Sequence, residues 1–406
     1  MEPDRHDSRR RCRGRGYDAV SPRSRSSGKG VGALGTSAGF PRGPEEVTCS
    51  WLAERIVPGG GLQRVETELL ETDRLGADQA GICVRFELHW NGADAAAPQD
   101  GGARPESVIG KFAAADEERR AVGHERSCYV REVGFYRRLR EDSDLATPRC
   151  YAAELAENEI DSVVLLEDLR HCISGDVLTG CSAQEARVAV EQLAALHASW
   201  WLREELLEHD WLSVPDDEPQ VGRRAQRYRE SQEAFCQRFA GKLSEPVFEL
   251  LRSLSPALGA PLHPDSPWTL LHREYRCDNL LFEPARGGSS PRVFVIDWQS
   301  SGRGAGAADL AFFLGGSLRT SLRRKHEQGL VQRYHRELQR RGVEGYDFDA
   351  CWRDYQLGSI GALVRAVNSA VLGAPSERAD EVFTALVRRH AAHALDLDAE
   401  QLLRSF

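Results

Sequence analysis

Two short segments of the sequence hold side chains whose types and spacing suit phosphoryl transfer. Glu274 precedes Asn279 by five residues, and Asp297 follows the apolar pair Val295–Ile296. A carboxylate in the first position can take the proton of an attacking hydroxyl, while an Asn oxygen and an Asp carboxylate can hold magnesium on nucleotide phosphates. We therefore predict that Glu274, Asn279 and Asp297 are catalytic and that the last two are the metal ligands. The alternative is an ordinary polar turn.

A β-hairpin is predicted to bring these side chains together. Leu280–Phe282 and Val293–Ile296 are apolar, strand-like segments on either side of a connection that contains two adjacent glycines. Asn279 lies just before the first strand, and Asp297 lies just after the second. Their side chains can therefore meet at one end of the hairpin, although 18 residues separate them in sequence.

The part of the chain before residue 168 is predicted to be rich in strands. The residue pattern predicts five strands, at 64–72, 82–90, 107–112, 149–155 and 162–166. A long helical tract is predicted over residues 115–141, between the third and fourth strands, and a short helix through Trp51 and Ile56 precedes the first strand.

The part of the chain after residue 168 is predicted to be mostly helical. Ser182 and Glu185 form a capping box that opens a helix through Trp201. Further helices are predicted at 221–254, 306–316, 318–341, 349–373 and 377–396. The whole pattern predicts an α+β fold of two lobes, a strand-rich N-lobe over residues 45–168 and a helix-rich C-lobe over residues 169–406.

Residues 1–44 differ in composition from the rest of the chain. They are rich in Arg, Ser, Gly and Pro and hold few apolar side chains, so they cannot bury enough surface to offset their ordering entropy. The composition predicts a disordered basic tail. A solvated tail or an over-extended gene start is favoured over an arm that binds nucleic acid or anionic lipid.

Composition excludes several broad classes of protein. The chain has 406 residues, 41% of them hydrophobic, and a net charge of −9, so we expect a large core and no nucleic-acid partner apart from a weak role of the basic tail. No apolar run approaches the roughly 18 residues of a membrane span. The 10 cysteines are scattered without a CxxC pair, which predicts free thiols in the cytoplasm rather than a zinc site or disulfides.

The predicted catalytic loop and the strand after it resemble a known family. Residues 270–282 read LLHREYRCDNLLF, and residues 295–299 read VIDWQ. They are similar to the pattern L-x-H-G-D-x-x-x-x-N-x-L-F, followed by a strand ending I-D-W-Q, of the aminoglycoside phosphotransferase superfamily, in particular its ecdysteroid kinase-like branch. The resemblance extends from about residue 62 to the end of the chain. It implies a protein-kinase-like bilobal fold and transfer of the ATP γ-phosphate to a hydroxyl of a small molecule.

The resemblance also implies the residues that bind ATP and magnesium. Lys111, in the predicted third strand, corresponds to the lysine that binds the nucleotide phosphates, and Glu132 corresponds to its ion-pair partner on a helix. The separation of 21 residues between them suits one strand, one connection and one helix.

Two further segments are implied to contact the nucleotide. Gly76 and Gly81 stand where the nucleotide loop belongs, although the segment has no GxGxxG sequence. Glu167 and Leu169 lie at the end of the fifth predicted strand, in the segment whose backbone would meet the adenine base. All four residues are therefore expected to belong to the ATP site.

Two positions depart from the family's pattern. The catalytic Asp of the pattern is Glu274 here, and the Gly before it is Arg273. Glu keeps the charge but is one methylene longer, and a displacement of about 1 Å can cost on the order of 100-fold in rate. The expected function is an ATP- and magnesium-dependent kinase of a small hydroxyl acceptor. The alternative is a catalytically impaired pseudokinase that senses a nucleotide or another ligand.

The acceptor is expected to be a small molecule rather than a protein. Only residues 298–308 separate the predicted metal aspartate from the next aspartate, which leaves no room for a protein-kinase activation segment. Asp347, Asp349 and Asp354 cluster near a helix start. They indicate either an acidic pocket for a cationic acceptor or a solvated, capped helix start.

Three other polar residues are expected to have structural roles. His272, just before the loop, is expected to bond backbone near Asp297, and His197 lies on the apolar face of a helix. Asp309 is expected to cap a helix or to brace a loop rather than to bind metal.

Overall fold

The computed structural model describes residues 39–70, 80–91, 103–214, 216–263, 265–285, 291–372 and 376–404. Of the predicted basic tail, residues 1–38 lie outside these ranges, and Phe40 is buried in an apolar cluster next to the first helix. That helix, α1 (Cys49–Ile56), begins after Thr48, whose hydroxyl accepts the N–H of Trp51 at 3.2 Å. The short helix predicted near the start of the ordered chain is therefore present.

A five-stranded antiparallel sheet forms the first part of the described chain. Its strands in chain order are β1 (Leu62–Leu70), β2 (Gly81–Trp90), β3 (Ser107–Ala113), β4 (Cys150–Leu155) and β5 (Ser162–Glu167). They lie side by side in the order β1, β2, β3, β5, β4, so β3 is the central strand. Successive side chains point to opposite faces of a strand, and Val108 and Phe112 are buried in one cluster with α1. Lys111, one position away, therefore faces the other side of the sheet.

The helical tract predicted over residues 115–141 is interrupted in the structure. It consists of α2 (Glu117–Glu125) and α3 (Cys128–Gly134), and α3 continues into a π-helical turn over Phe135–Leu139. The break is at Ser127, whose φ of 55° is a left-handed conformation that a right-handed helix cannot include. Because of this break, α3 runs separately from α2 and packs beside β4 and β5.

Five short strands lie in the second part of the described chain. They are β6 (Ile173–Ser174), β7 (Trp268–Leu271), β8 (Leu280–Glu283), β9 (Arg292–Val295) and β10 (Gly302–Ala305). The predicted hairpin is formed by β8 and β9, with Leu280 opposite Val295 and with β6 at the outer edge of β8. The pair of β7 and β10, with Leu271 opposite Gly302, is not predicted by the sequence pattern. The loop 272–279 joins β7 to β8, so both strand pairs hold its ends.

Helices make up most of the remaining described chain. They are α4 (Ala183–Ser199), α5 (Glu218–Arg238), α6 (Glu245–Leu254), α7 (Gly306–Ser317), α8 (Thr320–Arg340), α9 (Phe348–Leu372), α10 (Glu377–Asp396) and α11 (Ala399–Leu403). The predicted capping box of Ser182 and Glu185 begins α4. The prediction of one helix over residues 221–254 is wrong, because the chain ends α5 and reverses near Gly241, whose φ is 76°. Helix α7 is buried along nearly its whole length, among α4, α8, α9 and α10.

The order of these elements confirms the predicted α+β fold class, with a strand-rich part followed by a helix-rich part. The boundary between the predicted lobes, 45–168 and 169–406, stays a prediction. Within the described ranges, no helix combines the length and the apolar composition needed to cross a membrane.

Helix α7 holds the loop 272–279 through one carboxylate. Asp309 accepts the backbone N–H of His272 at 2.7 Å and that of Arg273 at 3.0 Å. The carboxylate is buried, and the His197 imidazole lies 3.7 Å from it. The side chain of His197 is itself fully buried and bonds the Tyr334 hydroxyl at 2.7 Å. Asp309 therefore braces the loop, as expected, and His197 is a core residue.

The His272 imidazole ties the loop to the strand that precedes Asp297. Its Nε2 donates to the carbonyl of Ile296 at 2.9 Å, and its Nδ1 accepts the N–H of Glu274 at 3.2 Å. Burial lowers the pKa of His272, so the ring is neutral at pH 7 and can donate at one nitrogen while accepting at the other. The structural role expected for His272 is therefore supported by both contacts.

We expect Asp309→Asn to lower the free energy of unfolding by on the order of 2–3 kcal/mol, because a neutral amide accepts the two backbone N–H groups less strongly. Burial alone would raise the pKa of Asp309, but His197 and the backbone N–H of Arg273 bring it below its ordinary value of 3.8. The stabilisation is therefore complete above about pH 4 and is lost as the pH falls through the lowered pKa. Urea denaturation at pH 7 measures the change.

Asp265→Asn is the matched control for this measurement. Asp265 is exposed, and within the described ranges it takes part in no hydrogen bond or ion pair. Its substitution should change the free energy of unfolding by less than about 0.5 kcal/mol. Equal effects of the two substitutions would contradict the bracing role of Asp309.

Candidate active site

Three charged side chains from distant parts of the sequence meet beside the sheet. The Lys111 ammonium lies 2.6 Å from the Glu132 carboxylate and 2.5 Å from the Asp297 carboxylate. Only 13% of the Lys111 side chain, 8% of Glu132 and 2% of Asp297 are exposed. Removing charges from water costs several kcal/mol per ion, so the cluster depends on direct contact between opposite charges. The predicted pair of Lys111 and Glu132 is present, and Asp297 joins it.

An aromatic stack aligns α3 with the end of β9. Asp297 follows Ile296 with a left-handed φ of 70°, which turns the chain sharply after the strand. The next residue, Trp298, lies flat on Phe135 at the end of α3, with 3.5 Å between the ring centres and 4° between the ring planes. Both rings are completely buried. The stack therefore holds α3, which carries Glu132, against the turn that carries Asp297.

Asn279 and the residue before Asp297 are joined through the backbone, since the Asn279 carbonyl accepts the N–H of Ile296 at 3.1 Å. The assignment of Asn279 and Asp297 as magnesium ligands stays a prediction. Asn279 donates from Nδ2 to the carbonyl of Glu274 at 3.0 Å, which directs its Oδ1 away from that carbonyl. Across the described ranges, no hydrogen bond engages this Oδ1. One amide oxygen and one carboxylate are the small protein contribution that magnesium takes when phosphate oxygens and water complete its shell. No group of three or more His, Cys, Asp or Glu residues that could hold a metal occurs in the described chain.

The space beside Lys111 is nearly filled by protein. A cavity of about 10 Å³ remains there, lined in part by Gly81, Glu132 and Gln299. The Lys111 ammonium lies directly on the carboxylate that would bind the metal, Asp297. For nucleotide phosphates to bind between them, the Lys111 ammonium would have to move away from the Asp297 carboxylate.

Glu274 lines a second and larger cavity, and Gln299 lines both cavities. Its Oε1 lies 3.4 Å from Arg365 of α9, and its Oε2 is buried without a hydrogen-bond partner among the described residues. A buried acceptor without a donor is costly, so it marks a position where a ligand can supply the donor. The hydrogen bond from the Asn279 side chain to the Glu274 carbonyl links Glu274 to one of the two predicted metal ligands.

Arg273 occupies a position whose backbone favours glycine. Its φ is 67°, in the left-handed region that costs a residue other than glycine roughly 1–2 kcal/mol. The half-buried guanidinium donates to the hydroxyl of Ser213. Burial, and after it the positive charges of Arg365 and Arg131, lower the pKa of Arg273 well below its ordinary value. The departure from the pattern therefore adds a buried positive charge next to Glu274.

Of the two glycines predicted to belong to the nucleotide loop, the structure describes only Gly81. Gly76 lies outside the described residues. Gly81 begins β2, and a Cβ atom there would lie 2.7 Å from the carbonyl oxygen of Phe112 on the neighbouring strand, which is too close for any other residue. Gly81 also lines the small cavity beside Lys111, where the sequence places the nucleotide loop.

The segment predicted to meet adenine follows the end of β5. Glu167 is the last residue of β5, and Leu169 is buried, with its carbonyl accepting the Cys172 N–H at 2.8 Å. No hydrogen bond in the described part of the chain engages the Leu169 N–H. Asp168 between them accepts from Arg85 at 2.7 Å and stiffens this segment. The sequence pattern does not predict this contact between Asp168 and Arg85.

Sequence reasoning missed the basic residues around Glu274. Arg365 is 91 positions away from Glu274 in the chain, and Arg131 lies within a helix whose apolar face dominates its pattern. No spacing rule connects residues on separate helices, so their convergence is visible only in the folded chain. The one available signal is the arginine at position 273, where the pattern has a glycine.

Comparison with solved structures finds proteins that align over most of both chains but share few identical residues with this one. A protein assigned to the aminoglycoside phosphotransferases from Ralstonia eutropha JMP134 is 15% identical, with 87% of this chain and 96% of that chain covered and a TM-score of 0.49. An ethanolamine kinase from Plasmodium vivax is 11% identical, with 80% and 82% covered and a TM-score of 0.48. A choline kinase from Cryptosporidium parvum Iowa II is 11% identical, with 87% and 96% covered and a TM-score of 0.47. No functional argument rests on similarities this low, and no curated protein matches the sequence.

One family profile covers more than half of the chain. The Ecdysteroid kinase-like family matches residues 80–342 of the 406 residues. This span includes Lys111, Glu132, the loop 272–279 and Asp297. The resemblance that the two sequence segments indicate is thus confirmed over a continuous stretch that holds both strand pairs and the charged cluster. The chain belongs to the Ecdysteroid kinase-like family.

Proposed function

We propose that this protein transfers the γ-phosphoryl group of ATP, bound with magnesium, to a hydroxyl group of a small molecule. The observation that carries the proposal is the contact of Lys111 with both Glu132 and Asp297. A lysine on a central strand, a glutamate on an adjoining helix and an aspartate after a hairpin strand are the groups with which kinases hold nucleotide phosphates. Membership of the Ecdysteroid kinase-like family supports the same reaction.

On the nucleotide side, Lys111 would bind the phosphates while Glu132 keeps its ammonium in position. Entering phosphates would attract the ammonium away from Asp297, 2.5 Å away, and so make that carboxylate available. Asn279 and Asp297 would then hold magnesium, whose charge offsets that of the phosphates when it is bound.

Four further residues are proposed to belong to the nucleotide site. Gly76 and Gly81 would belong to the loop over the phosphates, and Gly81 already lies beside Lys111. Glu167 and Leu169 would present backbone groups to adenine, and the unengaged N–H of Leu169 supports this assignment.

On the acceptor side, Glu274 is the proposed general base. Its Oε2 takes the proton of the acceptor hydroxyl, whose oxygen forms a bond to the γ-phosphorus. The bond from that phosphorus to the oxygen bridging the β- and γ-phosphates breaks, and ADP leaves with the electron pair. Arg365 lies 3.4 Å from Oε1, and Oε2 is buried without a hydrogen-bond partner among the described residues, so Oε2 is the oxygen proposed to take the proton. The cavity of about 610 Å³ suits a small acceptor.

A nucleotide or ligand sensor without turnover is the alternative. The observation that favours it is the glutamate at position 274, which reaches about one methylene further than the aspartate of the pattern. We propose the cytoplasm as the location, since the reaction draws on ATP and since none of the nine cysteines in the described ranges forms a disulfide.

We expect Glu274→Gln to lower turnover at least about 100-fold, because an amide cannot accept the hydroxyl proton. ADP formation from ATP and magnesium, followed with a panel of hydroxyl compounds, measures turnover. Glu157→Gln is the control, since Glu157 is exposed in the turn between β4 and β5 and should leave the rate unchanged.

Glu274→Asp separates the kinase from the sensor. If the loop has adapted to the longer side chain, the shorter one should lower turnover about 10- to 100-fold, because the carboxylate moves away from the hydroxyl by about 1 Å. A large gain in turnover over a barely active parent protein would instead favour the sensor. Unchanged turnover in Glu274→Gln would contradict the proposed base.

A further inference from the structure

The larger cavity beside Glu274 has a positively charged wall. The described residues that line it include seven arginines against four carboxylates. The chain as a whole carries a net charge of −9, so this excess of positive charge is local. Lys111, Asn279 and Asp297 are not among the described lining residues. Gln299 lines both this cavity and the small one beside Lys111, so the wall adjoins the proposed nucleotide side.

Three of these arginines form a cluster next to the proposed base. They are Arg131 of α3, Arg273 of the loop 272–279 and Arg365 of α9. Arg365 lies 3.4 Å from Glu274. After burial, the charge of Arg365 contributes to lowering the pKa of both Arg131 and Arg273, so the three groups are close enough to repel one another. Like charges brought together away from water are unfavourable until an anion binds them.

Two members of the cluster contact only uncharged groups of the described chain. Arg131 donates to the carbonyl of Trp211 at 3.0 Å and to that of Arg126 at 2.6 Å. Arg273 donates to the hydroxyl of Ser213. Neither forms an ion pair within the described ranges. The charges of Asp309 and Glu274 raise the pKa of Arg273, but burial and the other two arginines lower it by more.

Two of the four carboxylates that line the cavity bond groups other than the three arginine side chains of the cluster. Asp216 pairs with Arg224 at 2.9 Å. Asp309 accepts two backbone N–H groups of the loop and lies behind it. Glu125, the fourth carboxylate, is exposed at the end of α2. Glu274 is the carboxylate of the described wall that forms an ion pair with the cluster, with Arg365.

We propose that the acceptor is a hydroxyl compound that also carries an anionic oxygen group, such as a phosphate, sulfate or carboxylate, and that Arg131, Arg273 and Arg365 bind this group. The inference rests on the proposed kinase function and names the acceptor class of the same site. Guanidinium groups bind such oxygens through paired, charge-assisted hydrogen bonds. Because Arg365 also contacts Glu274, the anionic group lies near the hydroxyl that Glu274 deprotonates, and the acceptor is compact.

The acidic residues that could have favoured a cationic acceptor lie elsewhere. Asp347 caps the start of α9, where it accepts the Ala350 N–H at 2.8 Å. Asp354 is buried and accepts the hydroxyl of Tyr346 at 2.8 Å. Neither they nor Asp349 are among the described residues that line the cavity. The capping contact of Asp347 supports the interpretation as a capped helix start, whereas Asp354 is a buried residue of α9.

Anion binding tests the inference without requiring turnover. The protein, saturated with ADP and magnesium so that the nucleotide side is filled, is titrated with inorganic phosphate and with glycerol 3-phosphate in a calorimeter. Both probes should bind, and Arg365→Gln should weaken binding about tenfold or more because a charge-assisted contact is lost. Arg273→Gly should do the same, and glycine suits the backbone φ of 67°, so this variant should fold.

Arg229→Gln is the matched control, because Arg229 is exposed on α5 and does not line the cavity. The Arg229→Gln variant should bind both anions with the same affinity as the parent protein. Absence of binding, or binding that neither cavity variant weakens, would overturn the inference.

A second readout separates failure of this inference from failure of the proposed function. ADP formation is compared for glycerol 3-phosphate and gluconate against glycerol and ethanolamine. The anionic compounds should be phosphorylated at least about tenfold faster at equal concentration. Faster turnover of glycerol or ethanolamine would overturn the acceptor class while leaving the kinase intact. If no compound raises ADP formation, the kinase proposal fails, and the calorimetric result alone decides whether the anion site exists.

Discussion

A buried ammonium held between two carboxylates is the interaction on which the arrangement of the described chain depends. Lys111 comes from the central strand β3, Glu132 from α3 and Asp297 from the turn after β9. Removing Lys111 leaves two buried carboxylates without their shared partner, which costs on the order of 3–5 kcal/mol. Where the three elements meet, Ser127 breaks the preceding helix and Trp298 stacks on Phe135.

Two residues near this cluster have strained backbones, one in the loop 272–279 and one in the turn after β9. Arg273 and Asp297 both have left-handed backbones, with φ of 67° and 70°. Such residues persist only where the surroundings hold them, and here Asp309 and His272 bond the loop on both sides of Arg273. The strain at Arg273, the Glu274 oxygen that no described residue bonds, and the arginine cluster all occur around the loop 272–279. A phosphate donor and an anionic acceptor would each meet positive charge there, with Glu274 between them.

The sequence predicts the parts of this arrangement that follow from local pattern. The alternation in β2 and β3, the capping box at Ser182 and the five-residue spacing of Glu274 and Asn279 are short-range signals, and each has its counterpart in the structure. Strands β7 and β10 are only four residues long, so they show no detectable period. The cluster of Arg131, Arg273 and Arg365 arises from the packing of α3 and α9 against the loop, and a linear pattern does not encode such packing.

Calorimetric titration with ATP, in the presence of magnesium and then of EDTA, tests the central claim most directly, because it needs no knowledge of the acceptor. The account predicts magnesium-dependent binding that is lost in Asp297→Ala and weakened about tenfold or more in Lys111→Ala. Circular dichroism of each variant establishes that it is folded. Absence of binding by the folded parent protein at millimolar ATP would contradict the account, and so would binding that neither EDTA nor Asp297→Ala changes.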